Sequence, residues 1–267
     1  MKLAIIGLGN MGQAILSGII NKEIIKSQNI IAADKKFADS DYELSDEFSE
    51  INITADNEQA AREADYIILA VKPQIIEYVL EDIKNNAVSK IIISIAAGVK
   101  TKLISQYFGT NAKIVRVMPN TPALVAEGMS ALYYSPKVEA DEKAFVEKIF
   151  RALGEVVEVK EEEMDAVTGL SGSGPAFVYL FIEALADAGV LKGLSRQTAL
   201  KLAAQTVKGG AEMVLSSGKH PAQLKDMVAS PAGTTITGIT ELEKNSFRSS
   251  VIRAVQAAAE RSEELGK

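Results

Sequence analysis

LAIIGLGNMG, Leu3 to Gly12, is an apolar run that breaks into closely spaced glycines and continues as a helical pattern, Met11 to Asn21. Lys2–Ile6 reads as a strand. Gly7, Gly9 and Gly12 form G-x-G-x-x-G, with Leu8, Asn10 and Met11 between them. Glycines at this spacing also occur in tight turns and close helix contacts that hold no ligand. The strand before and the helix after are the context in which the pattern binds a dinucleotide. Gly7 permits a tight turn, Gly9 lets a pyrophosphate approach the backbone, and Gly12 lets the helix lie against the strand. The helix N-terminus then offers free N–H groups and positive potential.

Working outward, the first half alternates strand and helix patterns. Further strands are expected at 29–33, 51–54, 66–71, 90–96, 113–118, 130–134 and 156–159. Helices are expected at 58–64, 75–86, 100–107 and 141–153. Continuous apolar runs such as IIISIA suit strands covered on both faces. The order implies a doubly wound α/β domain of Rossmann type with a mainly parallel sheet, over residues 1–160.

From about Glu161 no strand pattern appears. Helices are expected at 162–191, 196–217, 222–228, 235–244 and 247–265, making an all-α domain over 161–267. The first is apolar on nearly every face between Ala176 and Leu185, the mark of a buried helix. A helical domain of roughly 105 residues has little room to bury it within one subunit. A partner subunit is expected to cover it, making this a dimerisation domain and the protein a homodimer or larger homo-oligomer.

Three loops after strands carry further candidates. Asp34 ends the second strand, 22 residues after Gly12, where an acid accepts hydrogen bonds from ribose hydroxyls and favours NAD. Lys35 and Lys36 follow directly and could accept the 2′-phosphate of NADP. The cofactor is therefore expected to be NADPH or NADH, with the choice open. AVKPQ (Ala70, Val71, Lys72, Pro73, Gln74) follows the fourth strand and lies where strand ends line a ligand crevice. MPNTP, with Met118 and Asn120, has two prolines that hold a rigid loop, able to wall the nicotinamide side. Farther on, Ser230-Pro231-Ala232-Gly233 turns into a helix opening with Thr234-Thr235. Small residues and hydroxyls at a helix start suit a carboxylate, though a plain loop and N-cap explain the same residues.

Composition excludes several chemistries. There is no cysteine and one histidine, His220, so disulfides, thiolate nucleophiles and two-histidine metal sites are ruled out. No metal is expected; Glu161-Glu162-Glu163 reads as a solvated helix start. His220, before Pro221, reads as a helix-start side chain. The net charge of −6 weighs against nucleic acid. The chain opens at once on a strand, without a signal-peptide pattern, and Ala176–Leu191 is too short for a bilayer and carries Glu183 and Asp187. A soluble, cytoplasmic protein is expected, with no membrane partner.

IIGLGNMG, AVKP, VMPNTP, GLSGSGPAFVY and, most specifically, LKDMVASPAGTTITGITELE together resemble the Δ1-pyrroline-5-carboxylate reductases over essentially the whole chain. The resemblance implies reduction of that cyclic imine carboxylate to L-proline, the last step of proline synthesis, by an intertwined dimer. It implies that Gly233, Thr234 and Thr235 meet the substrate carboxylate and that the Thr235 hydroxyl faces the imine nitrogen as the catalytic group. Val228 and Ser230 match positions that reach the substrate from the partner subunit. Asn57, Ala70, Lys72, Met118 and Asn120 match cofactor contacts. The family usually has two glycines after the proline; here Ala232 takes the first place. Two rivals stand beside it. β-Hydroxyacid dehydrogenases resemble the chain near Gly169–Gly174, but they use a lysine soon after, and here none occurs before Lys192. A non-catalytic dinucleotide-binding regulator would keep the glycines and need no Ser230–Thr235 loop.

Overall fold

The computed structural model describes residues 1–39 and 45–266. Eight strands form one sheet: β1 (Leu3–Ile6), β2 (Ile30–Ala33), β3 (Asn52–Thr54), β4 (Tyr66–Leu69), β5 (Ile91–Ser94), β6 (Lys113–Met118), β7 (Gly128–Tyr134) and β8 (Gly154–Glu158). Their order is β3-β2-β1-β4-β5-β6-β7-β8, with β7 antiparallel to β6 and every other pairing parallel. The order reverses between β1 and β4, and such a switch point opens a crevice at the carboxyl ends of the strands.

Alternation along the strands builds two cores. Leu3 and Ile5 pack with Ile15, Leu16 and Ile19 of helix α1 (Asn10–Asn21) and with Ile149 and Phe150 of α5 (Ala140–Arg151). Ala4 and Ile6 point the other way, towards α2 (Asn57–Glu63), α3 (Ile76–Ile83) and α4 (Thr101–Phe108). Successive side chains of a strand take opposite faces, so a strand apolar throughout must be covered twice. Phe150 is fully buried, which stabilises the fold by about 2–3 kcal/mol. A reciprocal Glu139–Glu142 capping box starts α5, and Asp56 caps α2 through the N–H groups of Glu58 and Gln59.

The chain divides into two compact units, Met1–Ser173 with Ala257–Lys267, and Gly174–Gln256. The expected boundary at 160/161 falls inside the first. Segment 161–173, containing α6 (Met164–Val167) and a π-helical turn at Thr168–Gly172, is tied to the sheet unit by polar contacts. Glu161 accepts from Thr101 N–H at 2.7 Å and from its hydroxyl at 2.8 Å, and pairs with buried Arg116 at 3.4 Å. Burial and, secondarily, the Glu161 charge push the neighbouring Tyr133 phenol above its ordinary range. Ser262 donates to the buried Asp165 carboxylate at 2.7 Å.

The second unit comprises α7 (Gly174–Leu191), α8 (Arg196–Ser217), α9 (Pro221–Val228), α10 (Thr234–Lys244) and the first part of α11 (Phe247–Leu265). Its own core is small: Ala186, Ala199 and Ala203 with Ile182. Tyr179 and Leu180 are 57% and 68% exposed, so the all-round apolar α7 is left uncovered by its own chain. The helical stretch Glu161–Leu191 runs for 31 residues and, by length and composition alone, is long and apolar enough to cross a membrane. The apolar run Ala176–Leu191 is by itself too short to span a bilayer, and the turns that precede it lengthen the helix.

Candidate active site

At the switch point Gly7 leaves β1 with φ +97°, and a Cβ there would lie 2.6 Å from the Ala70 carbonyl oxygen. The turn thus passes directly beneath the end of β4, where Ala70 N–H donates to Ile6 at 2.8 Å. A Cβ on Gly12 would come within 2.1 Å of the Gly7 carbonyl, so α1 seats against the turn. Gly9 differs: a Cβ there meets no protein atom within 4 Å. Beside it the N-terminus of α1 has no side-chain cap, so its first N–H groups are left for a ligand. Asn10 is exposed, whereas Leu8 and Met11 pack into the core and can meet a ligand only through the main chain.

Asp34 turns its carboxylate inward. Oδ2 accepts the Leu8 N–H at 2.8 Å and Oδ1 accepts the Lys36 N–H at 3.1 Å. Lys35 extends over the Tyr78 ring, 4.1 Å from its centroid. A cleft of about 470 Å³ follows the end of β2, lined by Gly7, Asp34, Lys35, Asn57 and Val71 from the sequence-predicted set. Gln74, from the AVKPQ loop, lines it as well; Ile75 and Tyr78 also line it, and no sequence motif singles them out. Ile75 and Tyr78 recur at i, i+3, a spacing that signals one helix face; only the fold shows that this pair is half exposed at the cleft. Asn57 is buried and donates to Asp82 at 3.1 Å. Lys72 is exposed, with no ion pair among the described residues, and Pro73 opens the short turn Pro73–Ile75.

Met118 ends β6 and packs its methyl against Gly172, where a Cβ would sit 2.4 Å away. Asn120 accepts the Met129 N–H at 2.8 Å and donates to the Ser171 carbonyl at 3.2 Å and hydroxyl at 3.3 Å. Its amide thereby fastens the MPNTP loop to β7 and to the π-helical turn. Among the described residues no group of acids or histidines is arranged to hold a metal.

In the helical unit, His220 caps α9: Nδ1 accepts the Ala222 N–H at 3.2 Å, while Gln223 reaches back to the His220 N–H. Val228 ends α9 and is exposed, as is Ser230. Gly233 N–H donates to the Ser230 carbonyl at 3.1 Å, and a Cβ on Gly233 would meet the Ser230 hydroxyl at 2.1 Å. Ala232, where the resembled family has glycine, adopts φ +55°. This left-handed conformation explains why glycine suits that position. Gly233 caps α10 without any side-chain bond. The Thr237 and Thr240 hydroxyls bond back to the Gly233 and Ile236 carbonyls. Those of Thr234 and Thr235 make no hydrogen bond among the described residues.

A sheet reversing at β1/β4, a glycine turn open above an uncapped helix and an appended set of uncovered helices define a Rossmann-type dinucleotide-binding protein that self-associates. Comparisons make the assignment narrower. Residues 161–265 match the model "Pyrroline-5-carboxylate reductase dimerisation", and residues 2–98 match "NADP oxidoreductase coenzyme F420-dependent". A pyrroline-5-carboxylate reductase of Synechocystis is 49% identical over 100% of this chain and 99% of its own. One from Methanosarcina acetivorans is 46% identical over 100% and 98%. The crystal structure of Plasmodium falciparum pyrroline carboxylate reductase with NADP bound superimposes with a TM-score of 0.91 at 43% identity, covering 100% of this chain and 98% of that one. The chain belongs to the pyrroline-5-carboxylate reductase family.

Proposed function

We propose that this protein reduces Δ1-pyrroline-5-carboxylate to L-proline, completing proline synthesis, with NADPH or NADH as reductant. The carrying observation is the Ser230–Thr235 turn, whose two leading threonine hydroxyls have no partner in their own helix although later threonines of that helix do. A helix start with a glycine cap, unoccupied N–H groups and two available hydroxyls offers donors for one carboxylate.

The residues of the sheet unit fit a nicotinamide dinucleotide: the space above Gly9 and the α1 N-terminus suit its pyrophosphate, and the cleft beside Asp34 suits its adenosine. Gly7–Gly12, Asn57, Ala70–Pro73, Met118 and Asn120 are the proposed contacts. When bound, the reduced nicotinamide supplies the hydride that adds to the imine carbon, while the C=N electron pair passes to nitrogen. Gly233, Thr234 and Thr235 hold the substrate carboxylate, and Val228 and Ser230 reach it from a partner subunit. A threonine hydroxyl is too weak an acid to protonate an amine unaided. Thr235 therefore orients the nitrogen by hydrogen bonding, and the substrate enters as iminium or takes its proton through water. His220 serves the α9 cap through Nδ1, and activity retained in His220→Gln would dismiss a role in proton transfer. We place the enzyme in the cytoplasm as a homodimer or larger homo-oligomer.

The test is oxidation of reduced nicotinamide by purified protein given Δ1-pyrroline-5-carboxylate, with proline identified as product. Thr235→Ala is expected to lower turnover and leave dinucleotide affinity unchanged. Folded protein that binds the dinucleotide yet oxidises none with this imine sinks the proposal.

A further inference from the structure

We propose that Tyr78 sets cofactor choice: by holding the Lys35 ammonium over its ring at the adenosine cleft, it makes the site prefer a 2′-phosphorylated adenosine, and so NADPH over NADH. The inference rests on the reading of this cleft as a dinucleotide site.

Three observations carry it. First, both Asp34 oxygens are engaged by backbone N–H donors, at 2.8 Å from Leu8 and 3.1 Å from Lys36. One donor belongs to the glycine turn and the other to Lys36; together they partly compensate the charge of the acid, while each oxygen keeps a further acceptor site. Second, Lys35 forms no ion pair among the described residues. Its ammonium sits 4.1 Å from the centroid of the Tyr78 ring, a neutral partner that fixes the cation without neutralising it. Third, Tyr78 and Lys35 line the same cleft as Asp34 and Asn57, and Tyr78 is 58% exposed, so the pair stands at the opening. A lysine free in solvent loses rotamer entropy when it grips a phosphate; one already parked on an aromatic face has lost part of it beforehand. Tyr78 thus contributes to selectivity although it need not touch the phosphate.

Calorimetric titration of the full-length protein with 2′,5′-ADP and with 5′-AMP isolates the 2′-phosphate. Wild type is expected to bind 2′,5′-ADP about tenfold more tightly. Lys35→Met should erase that advantage. Tyr78→Leu, which keeps an apolar wall but no ring, should reduce it by about two- to fivefold, and Tyr78→Phe should retain it. Equal binding of the two nucleotides by wild type, or an advantage unaltered in Tyr78→Leu, or the same loss in Tyr78→Phe as in Tyr78→Leu, overturns the proposal. Failure of folded wild type to bind either nucleotide overturns the dinucleotide reading itself, and this proposal with it.

Discussion

The carboxylate of Asp34 accepts the backbone N–H of Leu8 at 2.8 Å, fastening the end of β2 to the glycine turn that follows β1. The Leu8 side chain is fully buried beneath that turn. Removing the carboxylate strands the part-buried Leu8 donor and leaves the exposed Lys36 donor to water. Asp34→Ala is expected to cost about 1.5–3 kcal/mol, the range for hydrogen bonds to a charged group. Asp34→Asn retains one acceptor oxygen and should cost less. Urea denaturation of both variants measures the difference, and equal stability of Asp34→Ala and wild type would show that the bond contributes nothing.

The glycines of the turn should separate by phenotype. Gly9→Ala places its methyl in open space and should leave the melting temperature unchanged while weakening dinucleotide binding. Gly12→Ala drives a methyl against the Gly7 carbonyl and should destabilise the fold by about 1–3 kcal/mol, as overpacking does. Thermal melts with and without added NADPH distinguish the two; a destabilised Gly9→Ala contradicts the assignment of that space to a ligand.

Ala232 holds a backbone conformation that glycine adopts more readily, with φ +55°. The left-handed conformation costs an L-residue roughly 1–2 kcal/mol, offset in part by alanine's smaller loss of unfolded-chain entropy. Ala232→Gly should therefore stabilise the turn slightly, by up to about 1 kcal/mol. Matched denaturation curves check the sign.

Glu161 and Arg116 form a pair in which the arginine is almost wholly enclosed. Glu161→Ala leaves that cation unpaired and orphans the Thr101 N–H, at an expected cost of about 3–5 kcal/mol. The double variant Glu161→Ala/Arg116→Met should recover part of the loss. A double variant as unstable as the sum of the singles would mean that the two side chains are not energetically coupled.

The segments legible in the sequence were those governed by local periodicity. All eight strands were anticipated, and α8 and α11 run over the ranges read from their patterns, 196–217 and 247–265. Strand ends moved by one or two residues, as in β4, which stops at Leu69 so that Ala70 can meet the Gly7 turn. The site was legible as motifs, because glycine, proline and threonine clusters announce turns and helix starts. Tyr78 was not, since an aromatic at a helical spacing looks the same whether it faces a core or a cleft.

The sequence by itself determined which segments are strands and helices, where the chain turns, and which chemistries are barred by one histidine and no cysteine. It also showed that α7 has more apolar surface than its own domain can cover. Only the tertiary structure decided what the polar side chains do. Asp34 lies 26 residues from Leu8, Asn120 lies 51 from Ser171, and Glu161 lies 60 from Thr101. Each binds a group whose nearness no local pattern encodes. Side-chain period follows from the backbone geometry of a few consecutive residues, whereas a hydrogen bond across such a separation exists only after the sheet has brought its distant strand ends to one edge.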